Sequence, residues 1–199
     1  PGGPLEPGEA GARSGEAGFR WLTRAVELVQ QQQGRALVTA PIAKHAWHDA
    51  GHRYPGQTER LAELDGQKAA SMLFTAVSPF SGWRLNTLLA TTHIPLGRVA
   101  EVLSADLVGR KLDELAEFCL RFNPTPQLLV AGLNPHSGEQ GQLGGEEQQW
   151  LNPLLERWAR ERRDVQLKGP IPPDTCWLSA AKAWRNIDRR IGPDGILAL

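Results

Sequence analysis

Two rhythms of apolar residues alternate along the chain. Short unbroken apolar runs end at glycine, proline or polar loops. Between them lie longer stretches in which apolar positions recur every three or four residues. The first rhythm predicts buried strands and the second predicts helices with one face packed inward. The opening helix is expected between Ser14, a suitable N-cap, and Gly34, a suitable C′ residue, with Leu22, Ala25, Val26 and Val29 on one face. Residues 35–40 predict a short buried strand, and residues 41–50 a helix that starts on Pro41 and ends at Gly51. Tyr54-Pro55-Gly56 is turn chemistry, and Thr58 suits the cap of the next helix.

Residues 71–77 and 83–91 predict strands that pair antiparallel if the turn at 78–82 closes a hairpin. A helical turn follows at 99–103. Ser104 then caps a helix reaching 122, with Leu107, Leu112, Leu115, Phe118 and Cys119 facing inward, until Asn123-Pro124-Thr125-Pro126 breaks it. Strands are expected at 127–132, 165–168 and 196–199, and helices at 146–160 and 179–187. Leu151, Leu154, Leu155 and Trp158 form the apolar stripe of the first of these helices, and Glu146 and Glu147 suit its N-terminal dipole. Strands alternating with helices argue an α/β sandwich.

Composition narrows the picture. A 199-residue chain with 41% hydrophobic residues suits one domain, or one large piece of a two-domain chain. Its formal net charge is zero, which argues against nucleic acid or an acidic membrane as partner. It has no apolar run of about 18 residues, the length a membrane-spanning helix needs. Cys119 and Cys176 form no CxxC and read as reduced structural thiols of a cytoplasmic protein. Residues 1–15, rich in Gly, Pro and Glu, read as a flexible segment, with 16–199 as the folded part. The start lacks a methionine and the last strand breaks off at Leu199, so the chain reads as an internal fragment.

The candidate chemistry lies just beyond the apolar runs. Residues 128–131 stop at Gly132, and the polar loop that follows carries His136 and Glu139; residues 85–90 lead into Thr91-Thr92-His93. Asp174 sits in the stiff loop Gly169-Pro170-Ile171-Pro172-Pro173-Asp174-Thr175. Open α/β sheets place ligands beyond the carboxyl ends of their strands. Two imidazoles and a carboxylate there can hold a divalent ion, or the carboxylate can orient an imidazole; ordinary loop histidines are the alternative. Lys44, one turn into a helix that follows a strand, is placed to meet an anion. His45, His48 and His52 read as structural or surface residues because Gly51 interrupts their spacing, and the arginines at 157, 160, 162 and 163 read as solvated. No GxGxxG, GxxxxGK[ST], GxSxG or HExxH motif is present.

Several segments resemble the 4-hydroxythreonine-4-phosphate dehydrogenase family. They are Val38-Thr39-Ala40-Pro41-Ile42-Ala43-Lys44, Asp49-Ala50-Gly51, Gly56-Gln57-Thr58-Glu59, Leu89-Ala90-Thr91-Thr92-His93-Ile94-Pro95-Leu96, Gly132-Leu133-Asn134-Pro135-His136-Ser137-Gly138-Glu139 and the 169–175 loop. They occur in family order across nearly the whole chain. The resemblance implies a three-layer α/β/α sandwich of the isocitrate/isopropylmalate dehydrogenase-like kind, truncated at both ends and forming the central part of a two-domain dehydrogenase. It implies oxidation of 4-hydroxy-L-threonine 4-phosphate by NAD or NADP, followed by loss of CO₂ to give 3-amino-2-oxopropyl phosphate, a step of pyridoxal phosphate biosynthesis. A divalent cation (Zn, Mg, Mn or Co) is implied at a homodimer interface. His93 and His136 match two of its ligands, and a histidine in a YHDQG motif of the other subunit is the third. Gln57 and Thr58 match substrate contacts, Asp174 matches an acidic site residue, and Lys44 is assigned to the substrate phosphate. The resemblance singles out no nicotinamide-binding residue in this chain.

Two positions depart from the family pattern. Gln57 stands where the family has a histidine; its amide can hydrogen-bond but cannot exchange a proton near neutral pH. Gln142 replaces a residue that is often histidine. The first third of a family chain and the C-terminal segment with the third ligand are missing as well, so the chain taken alone is expected to be inactive, and its parent active unless Gln57 disables it. The alternatives are a related dehydrogenase acting on another phosphorylated hydroxy acid, or a non-catalytic remnant.

Overall fold

The computed structural model describes residues 8–67, 70–185 and 192–199. The chain divides into two compact units, residues 1–70 and 71–199. The part of the expected flexible segment that falls on residues 1–7, and residues 186 and 187 of the expected last helix, lie outside the described residues.

The first unit is helical. It contains α1 (Ala12–Gln30), α2 (Lys44–Asp49) and α3 (Gln57–Leu64). Gly11, not Ser14, occupies the N-cap of α1; Ser14 lies one turn in, and its hydroxyl accepts from the Gly11 amide at 3.0 Å. Gly15 is where α1 and α2 meet: a Cβ there would fall onto the Ala46 carbonyl, so only a glycine allows this approach. Trp47 is 2% exposed beneath the crossing. An aromatic and ionic cluster closes the unit: His52 stacks on Phe19 with centroids 3.5 Å apart, its Nε2 lies 2.6 Å from Glu16, and the Arg60 guanidinium sits 4.6 Å over Phe19. The strand expected at 35–40 does not form. Residues 35–43 run without strand pairing, and Val38 is 95% exposed. The apolar run is real, but no ladder partner among the described residues takes up its amides and carbonyls. The next helix, α2, begins at Lys44, with Ala43 extended at its N-cap, not at Pro41.

The second unit carries the sheet. Its strands are β1 (Leu73–Val77), β2 (Arg84–Leu89), β3 (Gln127–Ala131), β4 (Gln166–Ile171) and β5 (Gly195–Ala198), in the order β1-β2-β5-β3-β4. The expected hairpin is present: β1 and β2 pair antiparallel, with Leu73 opposite Leu88 and Val77 opposite Arg84. The other three pairings are parallel. Helices α5 (Ala105–Leu120) and α6 (Asn152–Glu161) cover one face, where Val108, Leu112, Leu115, Leu154 and Trp158 meet Leu128, Val130 and Leu197. A short helix, α4 (Val99–Val102), precedes α5. The other face packs Leu129 and Ile196 against Trp83 and against Ala180 and Ala183 of α7 (Leu178–Arg185). The result is the expected three-layer α/β/α arrangement. Strand residues that alternate between the two clusters, such as Leu128 and Leu129, follow from the period of two along a strand.

Two local features tie the layers. Asp194 Oδ2 accepts from the Gln127 amide at 2.8 Å, and its carbonyl accepts from Asn86 Nδ2 at 2.7 Å. This fixes the start of β5 between its neighbours. Arg162, one of the arginines expected to be solvated, instead bridges elements: its guanidinium reaches Glu117 at 3.0 Å, Asp164 at 3.1 Å and Asp113 at 3.5 Å. Its guanidinium carbon sits over Trp158, 5.6 Å from the ring centroid, and its side chain is mostly covered. No helix of the described residues is long and apolar enough to cross a membrane.

Candidate functional site at the carboxyl edge of the sheet

Strands β2, β5, β3 and β4 are parallel, so their carboxyl ends share one edge of the sheet. His93 follows the end of β2, His136 follows the end of β3, and Asp174 follows the end of β4. The topology therefore delivers all three sequence candidates to the same edge. β5 lies between β2 and β3, which places those two strands about 10 Å apart at ordinary sheet spacing. His93, His136, Glu139, Gln142 and Asp174 are exposed. Among the described residues, no three His, Cys, Asp or Glu side chains gather closely enough to hold a metal ion.

Both histidines sit in left-handed backbone. His93 has φ 57°, and His136 has φ 52° and ψ 26°. A single non-glycine residue in this region costs about 1–2 kcal/mol. His136 opens a run of five such residues: Ser137, Gly138, Glu139 and Gln140 follow at φ 51°, 80°, 41° and 56°. The simple polar loop expected here is thus a tight left-handed turn, and strain of this kind persists only where the surroundings impose it.

The surroundings come from the next helix. The helix expected from 146 opens with a π-turn, Glu147–Leu151, before α6 begins at Asn152. Glu147 is 2% exposed. Its Oε1 accepts from the backbone amides of Leu133 at 2.9 Å and Asn134 at 2.7 Å, and its Oε2 accepts from Asn134 Nδ2 at 2.8 Å. Asn134 Nδ2 also reaches Glu146 Oε2 at 2.9 Å. The Glu146 carboxyl lies below the usual carboxylate range, first through its own backbone amide and then through Asn134. On the other side, Ser137 Oγ reaches the Pro170 carbonyl at 3.4 Å, joining this turn to the loop that presents Asp174. Sequence reasoning read Glu147 only as a helix-dipole residue. A signal was available: Glu147 lies four residues before Leu151 and so continues the apolar stripe, the wrong place for a solvated carboxylate.

The remaining candidates belong to the first unit. Gln57 is the first residue of α3, and its Nε2 donates to the Ala40 carbonyl at 2.8 Å. Gly56, not Thr58, is the N-cap; Thr58 is exposed one residue inside the helix. Lys44 opens α2, and a Cβ on Gly56 would lie 4.0 Å from its Cε, so Lys44 and the start of α3 are neighbours. A groove of about 580 Å³ opens between α1 and residues 37–43, with Trp21, Leu22, Val38, Trp47 and Gln57 in its lining. His45 is exposed, while the His48 ring bonds the Tyr54 carbonyl at 3.2 Å and His52 belongs to the aromatic cluster.

A mixed α/β sheet whose parallel strands bring their carboxyl ends to one edge is the architecture in which open sheets bind ligands beyond those ends. Comparison with known proteins makes the family specific. A family model described as "Pyridoxal phosphate biosynthetic protein PdxA" matches residues 2–198, and the chain belongs to this family. The chain is 58% identical over 196 residues to a 4-hydroxythreonine-4-phosphate dehydrogenase of Synechococcus sp. (strain RCC307), covering 98% of this chain and 60% of the relative. It is 36% identical over 178 residues to a D-threonate 4-phosphate dehydrogenase of Pectobacterium atrosepticum, covering 88% of this chain and 52% of the relative. A crystal structure of 4-hydroxythreonine-4-phosphate dehydrogenase from Klebsiella pneumoniae superposes with a TM-score of 0.80 at 33% identity, covering 98% of this chain and 54% of that one. The chain thus spans a little over half the length of the relatives it matches.

Proposed function

We propose that the protein containing this chain is a nicotinamide-dependent dehydrogenase that oxidises 4-hydroxy-L-threonine 4-phosphate in pyridoxal phosphate biosynthesis. The secondary alcohol gives up a hydride to NAD or NADP and a proton to the medium. The resulting β-keto acid loses CO₂ and leaves 3-amino-2-oxopropyl phosphate. The observation that carries the reading is the placement of His93 and His136, each in left-handed backbone, just beyond the ends of the two strands that flank β5. The 58% identity to a relative of that name supports the substrate.

Imidazoles can serve a divalent ion as neutral nitrogen donors; among the described residues no third ligand joins these two, so the set is incomplete there. Bound there, such an ion supplies Lewis-acid polarisation of the substrate hydroxyl and carbonyl oxygens. The third donor is assigned to a histidine of a partner subunit in a homodimer. Asp174 is assigned to the catalytic site, where its carboxylate can orient or exchange a proton. Lys44 is assigned to the substrate phosphate, and Gln57 and Thr58, its neighbours at the start of α3, to substrate polar groups. Gln57 can bind but cannot act as an acid or base.

The relative named for D-threonate 4-phosphate favours a second reading, because Gln57 alters one substrate contact and these substrates differ in their polar groups. The test is NAD(P)H formation by the complete open reading frame with each substrate, with and without a chelator. A chelator-sensitive rate on the hydroxythreonine phosphate is expected. A preference for the threonate ester overturns the substrate, and no rate on either overturns the enzyme. The 199-residue chain alone is expected to give no rate.

A further inference from the structure

We propose that Glu147 is the positioning residue for His136: its buried carboxylate clamps the Leu133–Asn134 backbone and thereby imposes the left-handed turn that presents the imidazole. This rests on the reading of His136 as a metal ligand. Three observations converge. First, both carboxylate oxygens are committed to the segment just before His136, three hydrogen bonds between 2.7 and 2.9 Å. Successive backbone amides that point at one anion form a nest and fix the chain direction there. Second, Gly138, in the middle of the turn, packs onto the same carboxylate: a Cβ on Gly138 would lie 2.9 Å from Glu147 Oε2. The carboxylate therefore touches the loop both before and after His136. Third, Glu147 is 2% exposed and makes no ion pair among the described residues. A buried carboxylate compensated by amides alone is a costly arrangement for filling space, since an apolar side chain of similar size fills the same volume. Glu147 also opens a π-turn, a feature that recurs at functional sites.

The alternative is that Glu147 is merely a helix-start residue or a core filler. Glu147→Gln keeps the size and one acceptor oxygen but sets an amide against Asn134 Nδ2. Glu147→Leu keeps only the bulk. Amide hydrogen exchange at Leu133 and Asn134 is measured in the 199-residue chain, together with zinc affinity by competition with a chromophoric chelator. Loss of buried partners of this kind accelerates exchange by about tenfold in the Gln variant and more in the Leu variant. Zinc affinity is expected to fall in the same order, with exchange in β1 unchanged. A filler role predicts that Gln and Leu variants match the parent in both, which overturns the proposal. Faster exchange with unchanged zinc affinity overturns the positioning of His136 while leaving the clamp. If the 199-residue chain, with its incomplete ligand set, binds no zinc, the proposal is decided by the His136 amide and ring resonances. Movement to random-coil positions in the Leu variant upholds it, and no movement overturns it. If the Leu variant does not fold, the Gln variant alone decides by the same readouts.

Discussion

Replacing Gly138 with alanine separates two causes of strain in the histidine loop. At φ +80°, an alanine there pays the left-handed penalty of about 1–2 kcal/mol. Its Cβ also lands 2.7 Å from the Gly144 carbonyl oxygen and 2.9 Å from Glu147 Oε2, closer than real Cβ contacts allow. Neither neighbour yields cheaply, because one is backbone and the other is a clamped carboxylate. Overpacking of this kind adds about 1–3 kcal/mol, so Gly138→Ala is expected to destabilise the second unit by about 3 kcal/mol in total. Gly141→Ala is the control. It shares a left-handed backbone at φ +92°, but its Cβ meets only the flexible end of Gln148, at 3.1 Å. It is expected to cost about 1 kcal/mol. Urea unfolding followed by tryptophan fluorescence measures both, provided the m-value is unchanged between variants. Equal losses for the two alanines refute the reasoning, since they show that the carboxylate and the Gly144 carbonyl do not confine the turn.

Leu112→Ala, at a side chain with no exposure in the α5 core, is expected to cost about 2–5 kcal/mol in the same urea assay. Cys119 is pushed up to about 12, first by burial and then by the Asp194 charge. Its thiol is expected to resist alkylation at pH 8 in the folded chain, and folding stability is expected to fall as pH rises from about 9 toward 12, where the unfolded thiol ionises before the folded one; mass spectrometry after alkylation and alkaline unfolding curves check both. The Glu16 carboxyl is lowered by its bond to His52 and then by Arg20. The stability it contributes is present above the ordinary carboxylate pKa and lost as pH falls through the lowered value, so Glu16→Gln should flatten the acid limb of unfolding of the first unit.

The sheet was legible wherever burial and hydrogen bonding agreed. Residues 127–131 and 195–198 are apolar and find partners on both sides, so their pattern reports a strand. Residues 35–40 have the same pattern but no strand partner among the described residues, which a local pattern cannot reveal. The candidate residues were legible as residue types just past strand ends, and the topology brings His93, His136 and Asp174 to one edge of the sheet. The conformation of the His136 loop was not. Four of its five left-handed residues are not glycines, so composition gives no hint of positive φ. The cause lies eleven residues beyond His136 in Glu147, whose role depends on a tertiary contact. Likewise, Arg162 reads as one charge among several until Asp113 and Glu117 of α5 stand beside it.

The most direct test of the account uses the five histidines of the chain as reporters. Mn²⁺ is titrated into the uniformly labelled protein while the imidazole resonances are followed by NMR. His93 and His136 are expected to broaden together at the lowest metal concentration, with His45, His48 and His52 unaffected. Broadening of all five alike, or of either site histidine without the other, would contradict a shared metal site at the carboxyl edge of the sheet.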